Sequence, residues 1–287
     1  MRMSMRLVLG LSLALICTGA QAAAYQRIVT LAPHLTEIVY AAGAGAKLVG
    51  VSTYSDYPAE ATRLPVVASD GRVNFEALYR LQPDLVLAWT SGNRAVDLAE
   101  LERRGFNVLV TDATSLADVA RLVRLFGKLA GTAQRAEESA RAYEVHIASL
   151  RARYAQRPVV PAFVEIWHEP LMTVNGAHVI SEVVRLCGAI NVFAEVGSLT
   201  PIISREQLYA KRPAAVLSTA FVKEHAMREA WREFGTLDAV KGGHLYAIDP
   251  DYLTRLGPRL VEGAEQVCAA VERVRHSEAR TGRVGIR

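Results

Sequence analysis

Beyond its first 22 residues the chain has no apolar run near the roughly 20 residues that a membrane-spanning helix needs, so the region that follows is expected to be soluble. Cysteine is also scarce, three in 287 residues. Cys17 sits near the start, and the other two, Cys187 and Cys268, are too far apart in sequence to form a metal-ligand pattern. Catalytic signatures are missing: there is no P-loop, no G-x-S-x-G elbow and no H-E-x-x-H. Gly43-Ala44-Gly45 resembles a dinucleotide loop, but it follows a helical pattern rather than a strand and reads as a helix C-terminus. His34, His168, His225 and His244 lie in separate segments. A secreted metal-dependent hydrolase needs convergent histidines and acids, so that class is disfavoured. No enzyme is expected, and no catalytic or metal-ligating residue is assigned. Charge is nearly balanced, with 33 basic and 29 acidic residues. No strong basic patch appears outside a C-terminal stretch with Arg280, Arg283 and Arg287, so nucleic-acid binding is not expected.

What the chain does have begins with a leader. Arg2 and Arg6 precede an apolar stretch over 7–16, then small residues, and Ala20-Gln21-Ala22 fits an A-x-A cleavage site. This pattern predicts a secretory signal peptide over 1–22, cleaved after Ala22. Ile16 is a poor residue before a lipidated cysteine, which argues against an anchor at Cys17. In an exported chain Cys187 and Cys268 can pair or remain two separate buried thiols; the compartment favours the pair, and closing so long a loop is worth about 4–5 kcal/mol in the chain-entropy model.

The remainder, about 265 residues, suits two domains or one large one. Short apolar strands alternate with amphipathic helices. Strands are predicted at 27–31, 48–52, 85–89 and 107–110, with helices at 36–42, 75–81, 95–104 and 116–130. Residues 133–156 lack Pro and Gly and predict one helix of roughly 36 Å. A second series then has strands at 162–166, 215–218 and 245–248, and helices at 181–187, 205–211, 227–234 and 258–275. Such alternation implies α/β architecture: two Rossmann-like lobes with mostly parallel sheets joined by one long helix. The expected organisation is an N-terminal lobe over 23–131, a bridging helix over 132–157, a C-terminal lobe over 158–276 and a flexible tail over 277–287.

Two helix starts match across the lobes. Asn74 precedes Glu76 by two positions, and Ser204 precedes Glu206 in the same way, with Gln207 completing a capping-box pattern. An acid there faces the positive end of the helix dipole; it is either an ordinary first-turn residue or an exposed knob for a basic partner. Large aromatics cluster at predicted strand ends: Tyr54 and Tyr57 after one strand, Trp89 and Trp167 ending two others, Tyr252 following a fourth. Ligands of open α/β sheets bind outside the carboxyl ends of the strands, so these rings would line a cleft for a large, flat, partly apolar ligand. The alternative is that each ring caps the core of its own lobe. His168, next to Trp167, reads as a loop histidine bonded to backbone or as an axial ligand to a macrocycle's metal.

From residue 27 to about 274 the chain resembles the periplasmic cobalamin-binding proteins of ABC transporters, members of the class III, helical-backbone substrate-binding proteins. The resemblance rests on Tyr54-Ser55-Asp56-Tyr57-Pro58, Pro83-Asp84-Leu85 with Ala88-Trp89, Cys187-Gly188 with Asn191-Val192-Phe193, Ser204-Arg205-Glu206-Gln207, and Pro258-Arg259 before Cys268. It implies two lobes joined by a helix, a Cys187–Cys268 disulfide, and Glu76 and Glu206 as docking points for arginines of an inner-membrane permease. It also implies ligand contacts at Tyr54, Asp251, Arg255 and Trp89, to which the strand-end reading adds Trp167 and Tyr252. The expected partners are a corrinoid and the ABC permease dimer, the expected state is a periplasmic monomer, and no cofactor is expected besides the transported cobalamin. The chain departs from the family where Asp70 and Thr200 stand at tryptophan positions and Met172 stands near a phenylalanine. A siderophore or haem carrier of the same superfamily is the runner-up.

Overall fold

The structure, a computed structural model, describes residues 24–280. The expected leader and cleavage site, and residues 281–287 of the expected tail, lie outside the described residues. In the N-terminal lobe the chain runs β1 (Ile28–Thr30), α1 (Pro33–Ala41), β2 (Leu48–Ser52), β3 (Val66–Ser69), β4 (Arg72–Val73), α2 (Phe75–Leu81), β5 (Leu85–Trp89), α3 (Ala95–Arg103), β6 (Val108–Thr111) and α4 (Leu116–Ala130). Helix α5 (Ala133–Tyr154) then leads to β7 (Val160–Glu165), α6 (Val179–Leu186), β8 (Ala189–Asn191), α7 (Arg205–Lys211), β9 (Ala215–Ser218) and α8 (Glu224–Ala230). After a 3-10 turn, Trp231–Phe234, come α9 (Asp238–Lys241), β10 (Leu245–Ala247), α10 (Pro250–Leu253) and α11 (Leu260–Arg280).

The first sheet has six strands in the order β4-β3-β2-β1-β5-β6, the second four in the order β10-β9-β7-β8. Every pairing is parallel except β3 with β4. Parallel strands joined through helices are covered on both faces, which is why β1, β5 and β9 are almost continuously buried. The two α/β lobes anticipated from the alternating pattern are present.

Local chemistry sets the elements that frame the cleft. Ser115 and Asp118 form a reciprocal capping box at the start of α4, and Gly131, at φ 72°, ends it in a left-handed turn that glycine adopts without strain. On α5 the buried residues Ala136, Ala140, Tyr143, Ile147, Leu150 and Tyr154 alternate at spacings of four and three, one apolar stripe along the whole helix. Gly127 lets α4 approach it closely: a Cβ there would lie 2.1 Å from that of Ala136. One core runs from β1 and α1 through α4 and α5 into α6, β7 and α11. The lobes thus share buried packing along the bridging helix, and separating them would expose it.

The disulfide is formed. Cys187, capping the end of α6, is bonded to Cys268 in α11 at a Cα separation of 4.7 Å, closing a loop over a sequence separation of 81. The structure differs from the sequence reading at several ends. Helix α1 starts at Pro33 rather than 36, because proline fits the first helical position, where no N–H is needed. The helix predicted at 227–234 divides into α8 and a 3-10 turn. Residues 277–280, expected in the tail, are the last turn of α11.

Candidate functional site

The C-terminal ends of β2 and β5 meet at a recess of about 140 Å³, where Tyr54, Asp70, Trp89 and Asn93 converge. Tyr54 adopts a left-handed backbone, φ 62°, and leaves its side chain 71% exposed. Both features cost free energy: a non-glycine residue in that region carries about 1–3 kcal/mol of strain, and an exposed ring forgoes burial. Strain and exposure coincide here at the end of a strand, the edge where ligands of open α/β sheets bind. Asp70, also left-handed at φ 49°, lies on the same rim.

Trp89 is held from beneath. Its Nε1 donates to Asp112 Oδ1 at 2.9 Å, and Ser91 Oγ donates to the other oxygen of that carboxylate at 2.6 Å. His34, on α1, meets the indole edge-on at a centroid distance of 4.9 Å. Burial lowers the His34 pKa to about 4, with Asp112 pulling it up and Arg255 pushing it down, so the ring is neutral near pH 7.

Trp167 stands on the other lobe just after β7, 58% exposed, its Nε1 donating to the Glu169 carbonyl at 2.8 Å. Its backbone bridges to that of Met172, which in turn bridges to Ile202. Thr200, at one tryptophan position, is exposed. His168 does not bond to backbone as one sequence reading had it; it bonds to a side chain, Glu165 Oε1, at 2.7 Å from Nδ1.

Arg255 is engaged by three carboxylates. It reaches across the lobes to Asp56 at 2.6 Å and to Glu37 at 3.6 Å, and it meets Asp251 of its own lobe at 2.9 Å. The Arg255 hydrogen bond holds the Asp56 carboxyl below its ordinary pKa. Arg259 lies beside it, 2.6 Å from Glu37, its guanidinium 4.2 Å from the Tyr57 ring centroid and 5.2 Å from that of Tyr252. Burial pushes the Glu37 carboxyl up against the pull of both arginines. This seam holds Asp251 and Arg255 together and places Tyr252 against Arg259; like Trp167, none of the three lines the recess beside Tyr54 and Trp89. Sequence reasoning gave no role to Glu37, Asp56 or Arg259. An acid on the apolar face of α1 was the available signal, since Glu37 is only 3% exposed and buried charges are normally paired.

Glu76 and Glu206 are exposed, one in each lobe. Asn74 caps α2 by accepting from the Ala77 N–H at 3.1 Å. Ser204 and Gln207 form the capping box anticipated for α7, with bonds of 3.2 and 2.8 Å. Glu76 is loosely paired with Arg80 at 3.8 Å. The hydrogen bond from the Ser204 side chain lowers the Glu206 carboxyl's pKa, so it is charged near pH 7.

Two mostly parallel sheets, a shared helical spine and ring-bearing strand ends on both lobes define a two-lobed substrate-binding protein. A profile of the family described as periplasmic binding protein matches residues 28–252, and the chain belongs to that family. It is 37% identical over 267 residues to the vitamin B12-binding protein of Vibrio vulnificus, covering 92% of this chain and 97% of that one. Among solved structures it resembles the periplasmic vitamin B12-binding protein BtuF of Vibrio cholerae, with TM-score 0.80 and 34% identity over 88% of this chain and 98% of that one. A periplasmic haem-binding protein from Pseudomonas aeruginosa is also similar, with TM-score 0.74 and 27% identity over 86% of this chain and 92% of that one. The family and these relatives are binding proteins.

Proposed function

We propose that this protein is an exported carrier that captures cobalamin or a related corrinoid between its lobes and delivers it to an ABC permease in the inner membrane. The observation that carries the reading is the pair of exposed rings at strand ends on opposite lobes, Tyr54 at 71% and Trp167 at 58%, in a chain whose relatives are named for vitamin B12. The rings of Tyr54, Trp89 and Trp167 stack on the corrin or its nucleotide base, an interaction worth about 0.5–1.5 kcal/mol per ring beyond burial. Asp251 and Arg255 bind the polar side groups, and Tyr252, beside Arg259, adds a further ring to the ligand set. Glu76 and Glu206 dock on permease arginines and set the mouth over the pore. The leader directs the chain to the periplasm, where it works as a monomer without a cofactor of its own and without catalysis.

A haem or ferric-siderophore carrier is the second reading, favoured by the loss of ring area at Asp70 and Thr200. Against an anionic siderophore, Arg255 is already matched by Asp56, Asp251 and Glu37. Incubation of the purified protein with cyanocobalamin followed by gel filtration tests the assignment: red absorbance co-eluting with protein supports it, and its absence alongside co-elution of haem favours the second reading.

A further inference from the structure

We propose that His168, Glu169 and Glu233 form a site for one divalent transition-metal ion of the zinc type on the rim of the C-terminal lobe. One donor atom from each of the three residues lies within 4.8 Å of the others. Around a tetrahedral zinc, with ligand bonds near 2.0–2.2 Å, donors stand about 3.4 Å apart. Both glutamates are exposed, so side-chain rotation alone can close the difference. They border a recess of about 330 Å³ walled by Pro170, Leu171, Ile203 and Phe234, which leaves room for a water in the fourth position.

An independent observation points the same way. His168 Nδ1 lies 2.7 Å from Glu165 Oε1, and Glu165 is wholly buried. The other carboxylate oxygen accepts from Trp231 Nε1 at 3.2 Å, so the glutamate is fixed at both ends. A carboxylate on one imidazole nitrogen sets the tautomer and leaves the other nitrogen, Nε2, with its lone pair; this is how metal-ligating histidines are oriented. The set lacks the close sequence spacing of a metal motif, because its members come from the loop after β7 and from the 3-10 turn Trp231–Phe234.

One imidazole with two carboxylates suits zinc, manganese, cobalt or nickel better than copper(I). The neighbouring cation is Arg205, whose Nη2 lies 2.6 Å from Glu233 Oε2. It competes with the metal for that carboxylate and leaves the second oxygen available. A bound ion would tie the loop that carries Trp167 to the Trp231–Phe234 turn.

The test uses untagged mature protein stripped with chelator, titrated with zinc chloride alone by calorimetry and by competition with a chromophoric chelator. The expected result is one zinc per chain, with affinity lowered at least tenfold by Glu169→Gln and by Glu233→Gln. Glu165→Gln should lower it about 10–100-fold, and Arg205→Gln should raise it. Absence of stoichiometric binding overturns the proposal, as does an affinity unchanged in both Glu169→Gln and Glu233→Gln. These two variants alter exposed side chains and carry the test even if substitution of His168 prevents folding.

Discussion

Acid should destabilise this protein through one histidine that supports the recess. His34 is 5% exposed, and burial lowers its pKa from 6.5 to about 4. In the unfolded chain the ring protonates near its ordinary value, while in the folded protein it resists to about pH 4. Between these values the unfolded state binds more protons, so stability falls as the pH drops through this window and levels off below it. At about 1.4 kcal/mol per pKa unit the whole effect is about 3 kcal/mol, and integrating the linkage from pH 7 to pH 5 gives a loss of about 2 kcal/mol. Urea unfolding of the wild type and of His34→Gln at pH 7 and pH 5 measures it. The wild type should lose about 2 kcal/mol more than the variant between the two pH values. Equal losses in both proteins would refute the assignment, whatever the variant costs at pH 7, since only the pH-dependent part is attributed to ring charging.

Replacing Cys187 and Cys268 by Ser should lower stability by about 4–5 kcal/mol, as expected for releasing a loop of this length, read from denaturant midpoints under non-reducing conditions. Tyr54→Ala should weaken corrinoid binding by about 1–3 kcal/mol with no loss of stability, because the ring is exposed; an unchanged dissociation constant would remove Tyr54 from the ligand set. Glu76→Lys with Glu206→Lys should abolish reconstituted uptake while corrinoid affinity holds, since the proposed docking sets these carboxylates against permease arginines and reversal would turn attraction into repulsion; uptake surviving both reversals would make them ordinary first-turn acids.

Much of the fold was legible because its signals are local. Strands β2, β5 and β9 and helices α2, α4 and α7 follow the predicted bounds to the residue, each enclosed by a cap, a glycine or a change of period. Strands β4 and β8 and helices α9 and α10 have two to four residues, too short for a period to register. Strand β3 was missed with them, since half of its residues are exposed and its antiparallel partner is β4. The rings at strand ends were readable, because strand-end position follows from the βα order. The pairings of Glu37 with Arg259 and of Asp56 with Arg255 were not, since each joins residues from different lobes. The contact of the Tyr252 ring with Arg259 was unreadable because nothing local brings the two side chains together. Glu165 and His168 are only three residues apart, but a strand end followed by a turn gives no fixed geometry from which to pair them.

The central claim is the cargo, and side-by-side calorimetry tests it most directly: the mature protein titrated with cyanocobalamin, with haem and with a ferric siderophore under one buffer condition. The account predicts one-to-one binding of the corrinoid at micromolar affinity or better, tighter than either competitor. No heat with any corrinoid, together with tight binding of haem or the siderophore, would contradict it.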